Sequence, residues 1–180
     1  MGLLWLVGAD LRMAVLALPP VLANIQQQLH LSEGMVGTLT SLPVLLLALG
    51  AVVGSVTVAH WGPRRVLVVG LVVVGVASAG RAFGGLAGLL TASVLLGLGI
   101  AVLQPTMPSI TRAWFPRRVG LATAVYSNGI VVGEAAAASL TIPLLLPLAG
   151  SWRVVLGLWG APALVAAALV LFSRGPRPVP

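Results

Sequence analysis

The sequence predicts an all-α membrane protein with six transmembrane helices. Of its 180 residues, 59% are hydrophobic and 7% are charged, which is too few charged residues to cover a soluble domain. The apolar residues fall in runs of roughly 20, the length that a helix needs to cross a bilayer. The predicted spans cover about residues 3–22, 35–58, 66–82, 86–108, 120–146 and 152–172, in a bundle over residues 1–173 followed by a tail at 174–180.

The basic residues indicate how the chain lies in the membrane. All ten are arginines, and most stand singly or in pairs at the ends of apolar runs, a pattern typical of membrane topology rather than of a nucleic-acid partner. Arg81 and Arg153 lie at the other ends of the spans, where we expect Arg81 to extend its head toward the interface. Because cytoplasmic loops carry an excess of arginine and lysine, the arginine-rich side is predicted to face the cytoplasm, and both termini are predicted to lie on that side. Its arginines are Arg64, Arg65, Arg112, Arg117, Arg118, Arg174 and Arg177.

The first apolar run is predicted to be a membrane helix and not a signal peptide. A signal peptide would begin with a basic region, which is absent, and charged residues interrupt the apolar core. Pro19 and Pro20 are expected to end or kink this helix, because proline lacks the backbone donor. The polar stretch Asn24–Gly34 is predicted to be a linker, with Ser32 and Glu33 at the start of the second helix.

Small residues spaced four apart predict two places of close helix packing. Gly50 and Gly54 form one such pair in span 2, and Gly129 and Gly133 form the other in span 5. The absence of a side chain at both positions lets a neighbouring backbone approach.

The sequence contains no catalytic or metal-binding pattern. It has no cysteine, and its two histidines, His30 and His60, lie near predicted loops without other ligands beside them. There is no nucleophile with a base and no glycine-rich phosphate loop. We therefore expect no enzymatic activity, no cofactor and no metal.

Several polar residues lie inside the predicted spans and are candidates for a solute pathway. An ionisable group in a span costs about 2–4 kcal/mol or more unless it faces protein or a wet cavity. Spans 4 and 5 are therefore expected to line a pathway rather than to face lipid. The pathway candidates are Asp10, Arg12, Gln104, Tyr126, Asn128 and Glu134.

Arg12 is the central candidate because a guanidinium stays protonated at the midplane and offers a planar fork of donors. It is predicted either to bind a small anion or to pair with a carboxylate on another helix, for which Glu134 is the obvious partner. Asp10 and Arg12 are about 200° apart around a helix, so they are not expected to face each other.

The other candidates each have two interpretations. Glu134 is either a proton-coupling carboxylate, whose pKa burial would raise, or a fixed counter-charge. Gln104 either orients substrate or forms an interhelical hydrogen bond. Tyr126 and Asn128 are either substrate contacts or polar residues at the membrane interface.

The residues resemble the cyanate/nitroimidazole permease branch of the major facilitator superfamily. Asp10-Leu11-Arg12 is similar to the Asn-Leu-Arg of that branch, although Asp10 replaces the usual asparagine. The segment from Leu31-Ser32 to Leu42-Pro43-Val44 resembles the entry to its second helix. The rest of the similarity lies in Arg81, Ala101-Val102-Leu103-Gln104, Pro108, Phe115-Pro116 and Tyr126.

The resemblance implies half of a major facilitator fold, with six helices arranged as two inverted three-helix repeats. It implies secondary active transport of a small anionic or polar solute such as cyanate, by alternating access. It also implies a gating turn at Gly62, Arg64 and Arg65, although the acid of the family's turn falls on Ala59. Multidrug efflux is disfavoured, because Gly133 is followed by Glu-Ala-Ala where drug antiporters continue with further glycine.

The expected partners are the lipid bilayer, a small-molecule solute, and a second six-helix half or a second copy of the chain. The expected location is a bacterial inner membrane. Two alternatives stay open at this point. The chain is either a truncated or split half without activity alone, or a half-size transporter that homodimerises.

Overall fold

The computed structural model describes residues 1–173, apart from the side chains at positions 49, 51 and 52. The predicted tail at 174–180 lies outside the described residues. The described chain is almost entirely helical. Its elements are α1 (Gly2–Leu16), α2 (Leu18–Leu29), α3 (Glu33–Trp61), α4 (Pro63–Gly80), α5 (Gly85–Trp114), α6 (Val119–Leu140), a π-helical turn (Thr141–Leu145), α7 (Leu146–Ala149), α8 (Trp152–Leu158) and α9 (Ala161–Phe172).

These elements form six candidate membrane spans within the described residues. Five helical segments are long and apolar enough to cross a membrane: Gly2–Leu29, Pro63–Gly80, Gly85–Trp114, Val119–Ala149 and Trp152–Phe172. Helix α3 is the sixth when its two arms, which meet at 52°, are taken as one broken span. The spans are numbered 1 to 6 in chain order, and the prediction of six is confirmed.

The packing between spans follows the pattern of two inverted three-helix repeats. Span 1 packs on span 5 through α1 and α6, and span 4 packs on span 2 through α5 and α3. The first helix of each repeat thus lies against the second helix of the other. The two third helices, α4 and α9, pack against each other. This exchange between the repeats agrees with the predicted fold class.

Glycines bring two helix pairs into backbone contact. A Cβ at Gly133 would lie 2.2 Å from the carbonyl oxygen of Ala9, and one at Gly129 would lie 2.3 Å from that of Trp5. Across the other pair, a Cβ at Gly50 would lie 2.2 Å from the Cβ of Ala101. Both predictions of close packing are confirmed. We call the first contact, along α1 and α6, the glycine seam.

The contacts of the two pairs show that the partners run parallel. Along the glycine seam Trp5 meets Gly129 and Ala9 meets Gly133, so both helices advance together. The chain's start and the beginning of α6 therefore lie at the same end of the bundle. Helices α3 and α5 also run parallel, so the turns that follow them share that end, which we call the basic end. Its described arginines are Arg64, Arg65, Arg112, Arg117 and Arg118.

The first span is longer than the sequence predicted. Pro19 and Pro20 do not end it, because they lie in the first turn of α2, where a missing backbone donor costs no hydrogen bond. Only Ala17 separates α1 from α2, and its backbone (φ −68°, ψ −22°) stays in the right-handed helical region. Helix α2 then continues to Leu29, so the first half of the predicted linker is helical. The start of α3 is as predicted, since the Ser32 hydroxyl accepts from the backbone of Met35 at 3.4 Å.

The later proline-containing spans also differ from their predicted ends. Helix α5 runs beyond Pro108 and ends at Trp114. The next residue, Phe115, precedes Pro116, and a residue before proline disfavours the helical conformation. Span 5 does not break at Pro143 but widens there into the π-helical turn, where the Thr141 hydroxyl accepts from the Trp159 indole at 3.0 Å.

Candidate functional site

An ion pair between α1 and α6 is the centre of the candidate site. Arg12 Nη1 lies 3.6 Å from Glu134 Oε1, and the two side chains are 39% and 38% exposed. The glycine seam positions both, because Ala9 and Gly133 are in contact within one turn of them. Of the two interpretations of Arg12, the pairing with Glu134 is therefore present in the structure. Both side chains nevertheless stay accessible from outside the bundle.

The depth of this pair follows from helix geometry. Arg12 is ten residues after the start of α1, or about 15 Å along the helix, and Glu134 is 15 residues after the start of α6, or about 22 Å. The hydrocarbon core of a bilayer is roughly 30 Å thick, so both groups lie well inside it when each helix begins at its edge. A half-exposed ion pair at this depth is costly against acyl chains. This surface of α1 and α6 therefore faces protein or water.

A second polar contact lies on the same surface, closer to the basic end. The Trp5 indole donates to Asn128 Oδ1 at 2.9 Å, which joins α1 and α6 once more. Asn128 is exposed on this surface, whereas Tyr126 is partly buried, with its backbone carbonyl against Gly8. The neighbouring Ser127 is exposed.

Gln104 lies on a different helix. It is exposed on α5, three residues from Ala101, which packs against α3. Its side chain forms no hydrogen bond with Arg12 or Glu134. The structure thus brings together Arg12 of span 1 and Glu134 of span 5, and shows no contact between them and Gln104 of span 4.

Asp10 does not share the exposed surface. It is 0% exposed, and neither carboxylate oxygen has a hydrogen-bond partner among the described residues. It lies on the part of α1 turned away from Arg12, as their spacing predicted.

Arg81 lies in the interior of the bundle, whereas its guanidinium was predicted to reach the membrane interface. The side chain is 1% exposed. Its Nη1 donates to the carbonyl of Ala14 at 2.8 Å, and its Nε donates to Ser93 Oγ at 3.2 Å. This arginine joins α1, α4 and α5 in the interior. Sequence analysis missed this role because the partners are a backbone carbonyl and a serine that only tertiary structure brings near.

The predicted gating turn lies at the basic end. Gly62 has φ +78°, a left-handed backbone that favours glycine, and it separates α3 from α4. Arg64 Nη2 donates to the carbonyls of Val170 at 3.1 Å and Leu171 at 3.2 Å, and so holds the last turn of α9. Arg65 is exposed.

Over residues 1–173 the structure groups no three histidine, cysteine or acidic side chains that could hold a metal. What the exposed site can offer chemically is charge. A guanidinium with unused donors and a carboxylate beside it can bind an ion or exchange a proton.

The six apolar helices define a multi-pass membrane protein, and comparison with known proteins identifies its family. The sequence model of the Major Facilitator Superfamily matches residues 3–180. The chain belongs to this family of transporters.

Among curated proteins, the chain is similar to an uncharacterized transporter, YycB of Bacillus subtilis, with 31% identity over 89% of this chain and 40% of that protein. It is 30% identical to the cyanate transport protein CynX of Escherichia coli, over 89% of this chain and 42% of that one. A 2-nitroimidazole transporter of Escherichia coli is 26% identical over 78% of this chain. The chain spans about two fifths of the length of these relatives.

A solved structure has the same fold. The proton:xylose symporter XylE, bound to 6-bromo-6-deoxy-D-glucose, superposes with a TM-score of 0.83 at 14% identity. The match covers 96% of this chain and 44% of that one. The structural likeness thus agrees with the curated relatives in matching less than half of a longer transporter.

Proposed function

We propose that this chain forms one six-helix half of a secondary transporter that moves a small anion such as cyanate by alternating access. The observation that carries the proposal is the half-exposed ion pair of Arg12 and Glu134, more than two helical turns from the start of either helix. The relative named as a cyanate transport protein supports the choice of anion.

In this proposal Arg12 binds the anion. At 3.6 Å its contact with Glu134 is loose, and a guanidinium has five donors, so most of them are free for a second partner. A small anion would compete with the carboxylate for the guanidinium. Glu134 then acts either as a counter-charge that keeps the empty site neutral or as the group that takes up a proton when the anion binds.

The remaining candidate residues are proposed to shape the site or to gate it rather than to bind the anion directly. Asn128, held by Trp5, offers a neutral polar group beside the ion pair, and Tyr126 contributes packing to the glycine seam. Gln104 offers a neutral polar group on α5. Asp10 is proposed as an interior charge rather than a solute contact, because it is buried. Gly62, Arg64 and Arg65 form the gating turn.

The second wall of the site is proposed to come from another six-helix unit. The pair is exposed on one side of the bundle, and a surface of this polarity is unsuited to lipid. The unit is the second half of a longer transporter or a second copy of this chain. By the arginine bias, the basic end faces the cytoplasm.

Anion counterflow in proteoliposomes tests the role of Arg12. We expect labelled cyanate to exchange, and Arg12→Gln to lower the exchange rate tenfold or more. The reason is that charge-assisted hydrogen bonds of about 1.5–3 kcal/mol are lost. Arg153→Gln removes an equal charge at the other end of the bundle and is expected to leave exchange unchanged.

Unchanged exchange by Arg12→Gln would overturn the binding role. If the wild-type chain exchanges no anion alone but does so after co-reconstitution with a six-helix second half, the split-half alternative is supported. Glu134→Gln separates the two interpretations of the carboxylate. A proton-coupling group predicts that exchange survives while proton-driven accumulation is lost, and a counter-charge predicts tighter anion binding.

A further inference from the structure

The two turns at the basic end have the same sequence pattern. Residues 61–66 read Trp-Gly-Pro-Arg-Arg-Val, and residues 114–119 read Trp-Phe-Pro-Arg-Arg-Val. Each tryptophan is the last residue of its helix, α3 or α5, and each valine lies in the first turn of the helix that follows. Because α3 and α5 run parallel, with Gly54 beside Pro105, the two turns lie at a similar depth.

No acid of the chain neutralises these turns. The whole sequence has three acidic residues. Asp10 is buried inside the bundle, Glu134 pairs with Arg12, and Glu33 begins α3, at the end opposite to the turn that follows it. No acidic side chain of the chain therefore balances the positive charge of the two turns, which leaves it available to an anion from outside.

The first turn borders a cavity of about 610 Å³. Arg64 is already engaged with the carbonyls that end α9, which leaves Arg65 as the available cation. Below the arginines the wall is apolar, and Val69 and Leu171 are exposed there on α4 and α9. The cavity is lined by Trp61, Arg64, Arg65, Val68, Val69 and Leu171.

The second turn borders a cavity of about 580 Å³. Arg117 and Arg118 are both exposed and have no ion pair or hydrogen bond from their side chains within residues 1–173. Trp114 and Phe115 provide the apolar part of this wall, and Pro116 completes it. Each cavity thus combines arginine, tryptophan and an apolar wall.

We propose that each of these two turns binds the headgroup of an anionic phospholipid. Arginine forms paired, charge-assisted hydrogen bonds with phosphate oxygens. Tryptophan prefers the level of the headgroups, and an apolar wall on the membrane side accepts the start of an acyl chain. Basic pockets between transmembrane helices are suited to such headgroups. The proposal is independent of the transported solute.

Native mass spectrometry of the full chain in a neutral detergent tests this, with phosphatidylglycerol as the probe and phosphatidylcholine of the same acyl chains as reference. We expect two phosphatidylglycerol molecules to bind per chain at concentrations where phosphatidylcholine does not. Arg65→Gln should leave one bound molecule. The triple variant Arg65→Gln, Arg117→Gln, Arg118→Gln should bind both lipids equally.

Arg112→Gln is the matched control. It removes an exposed positive charge at the same end of the bundle but lines neither cavity, so it should keep both lipids. Equal binding of the two lipids by the wild-type chain would overturn the proposal, as would a loss in Arg112→Gln equal to that of the triple variant. Displacement of the lipid by glycerol phosphate at a similar concentration would also overturn it, because it would indicate a site for free phosphate esters.

Discussion

Gly133→Ala is expected to destabilise the bundle by about 3 kcal/mol or more, at the upper end of what overpacking costs. The new Cβ would lie 2.2 Å from the carbonyl oxygen of Ala9, 2.8 Å from its carbonyl carbon and 2.8 Å from its Cα. These are backbone atoms, so no side-chain rotation relieves the clash, and α1 must move away from α6. Thermal unfolding of the purified chain in detergent measures the effect as a lower melting temperature.

Gly120→Ala is the matched control on the same helix. A Cβ at Gly120 has nothing within 4 Å, so alanine should keep the stability or raise it by up to about 1 kcal/mol through helix propensity. If both variants melt at the same temperature, the result would contradict a close backbone contact between α1 and α6 at Gly133. A further readout is the coupling energy between Arg12 and Glu134, which should fall when the helices separate.

Arg81→Ala is expected to cost about 3 kcal/mol, because it breaks two buried hydrogen bonds donated by a charged group, a kind worth about 1.5–3 kcal/mol each. The substitution leaves the Ala14 carbonyl and the Ser93 hydroxyl without their donor in the interior. It also removes a guanidinium bonded to Ala14, a residue that lies one helical turn after Asp10 on the same side of α1. The change should be visible as a fall in the melting temperature of the purified chain.

Two further variants identify the cause of that loss. If Arg81 balances the charge of Asp10, Asp10→Asn should recover part of the stability in the Arg81→Ala background. Arg153→Ala is the comparison at the same end of the bundle, because Arg153 is only partly buried and donates to the Ala82 carbonyl at 3.3 Å. A loss in Arg81→Ala no larger than that in Arg153→Ala would contradict the interior role of Arg81.

Much of the fold could be predicted from local patterns. Long apolar runs determine the spans, since a helix satisfies its backbone hydrogen bonds within one segment of a bilayer-spanning chain. Ser32 indicated the start of α3, and the glycine pairs indicated close packing before any partner helix was known. The end of the first span was predicted less well, because Pro19 and Pro20 break a helix in its interior but begin one in its first turn.

The candidate site was only partly predictable. The charges of Arg12 and Glu134 make them candidate partners in any helical arrangement of this membrane protein, and their contact was one of the two interpretations. The interior position of Arg81 was not predictable, because a residue at a helix end can turn toward water or inward. Its direction depends on α1 and α5, whose positions are set by the packing of the whole bundle.

The backbone contact along the glycine seam has a consequence for transport cycles. Three glycines, Gly8, Gly129 and Gly133, leave no side-chain layer between α1 and α6 that could slide or repack. Interlocked helices of this kind tilt together as a single rigid body. In the proposed transport cycle, Arg12 and Glu134 would then keep their separation, and access to the solute would change through motion of the proposed second unit.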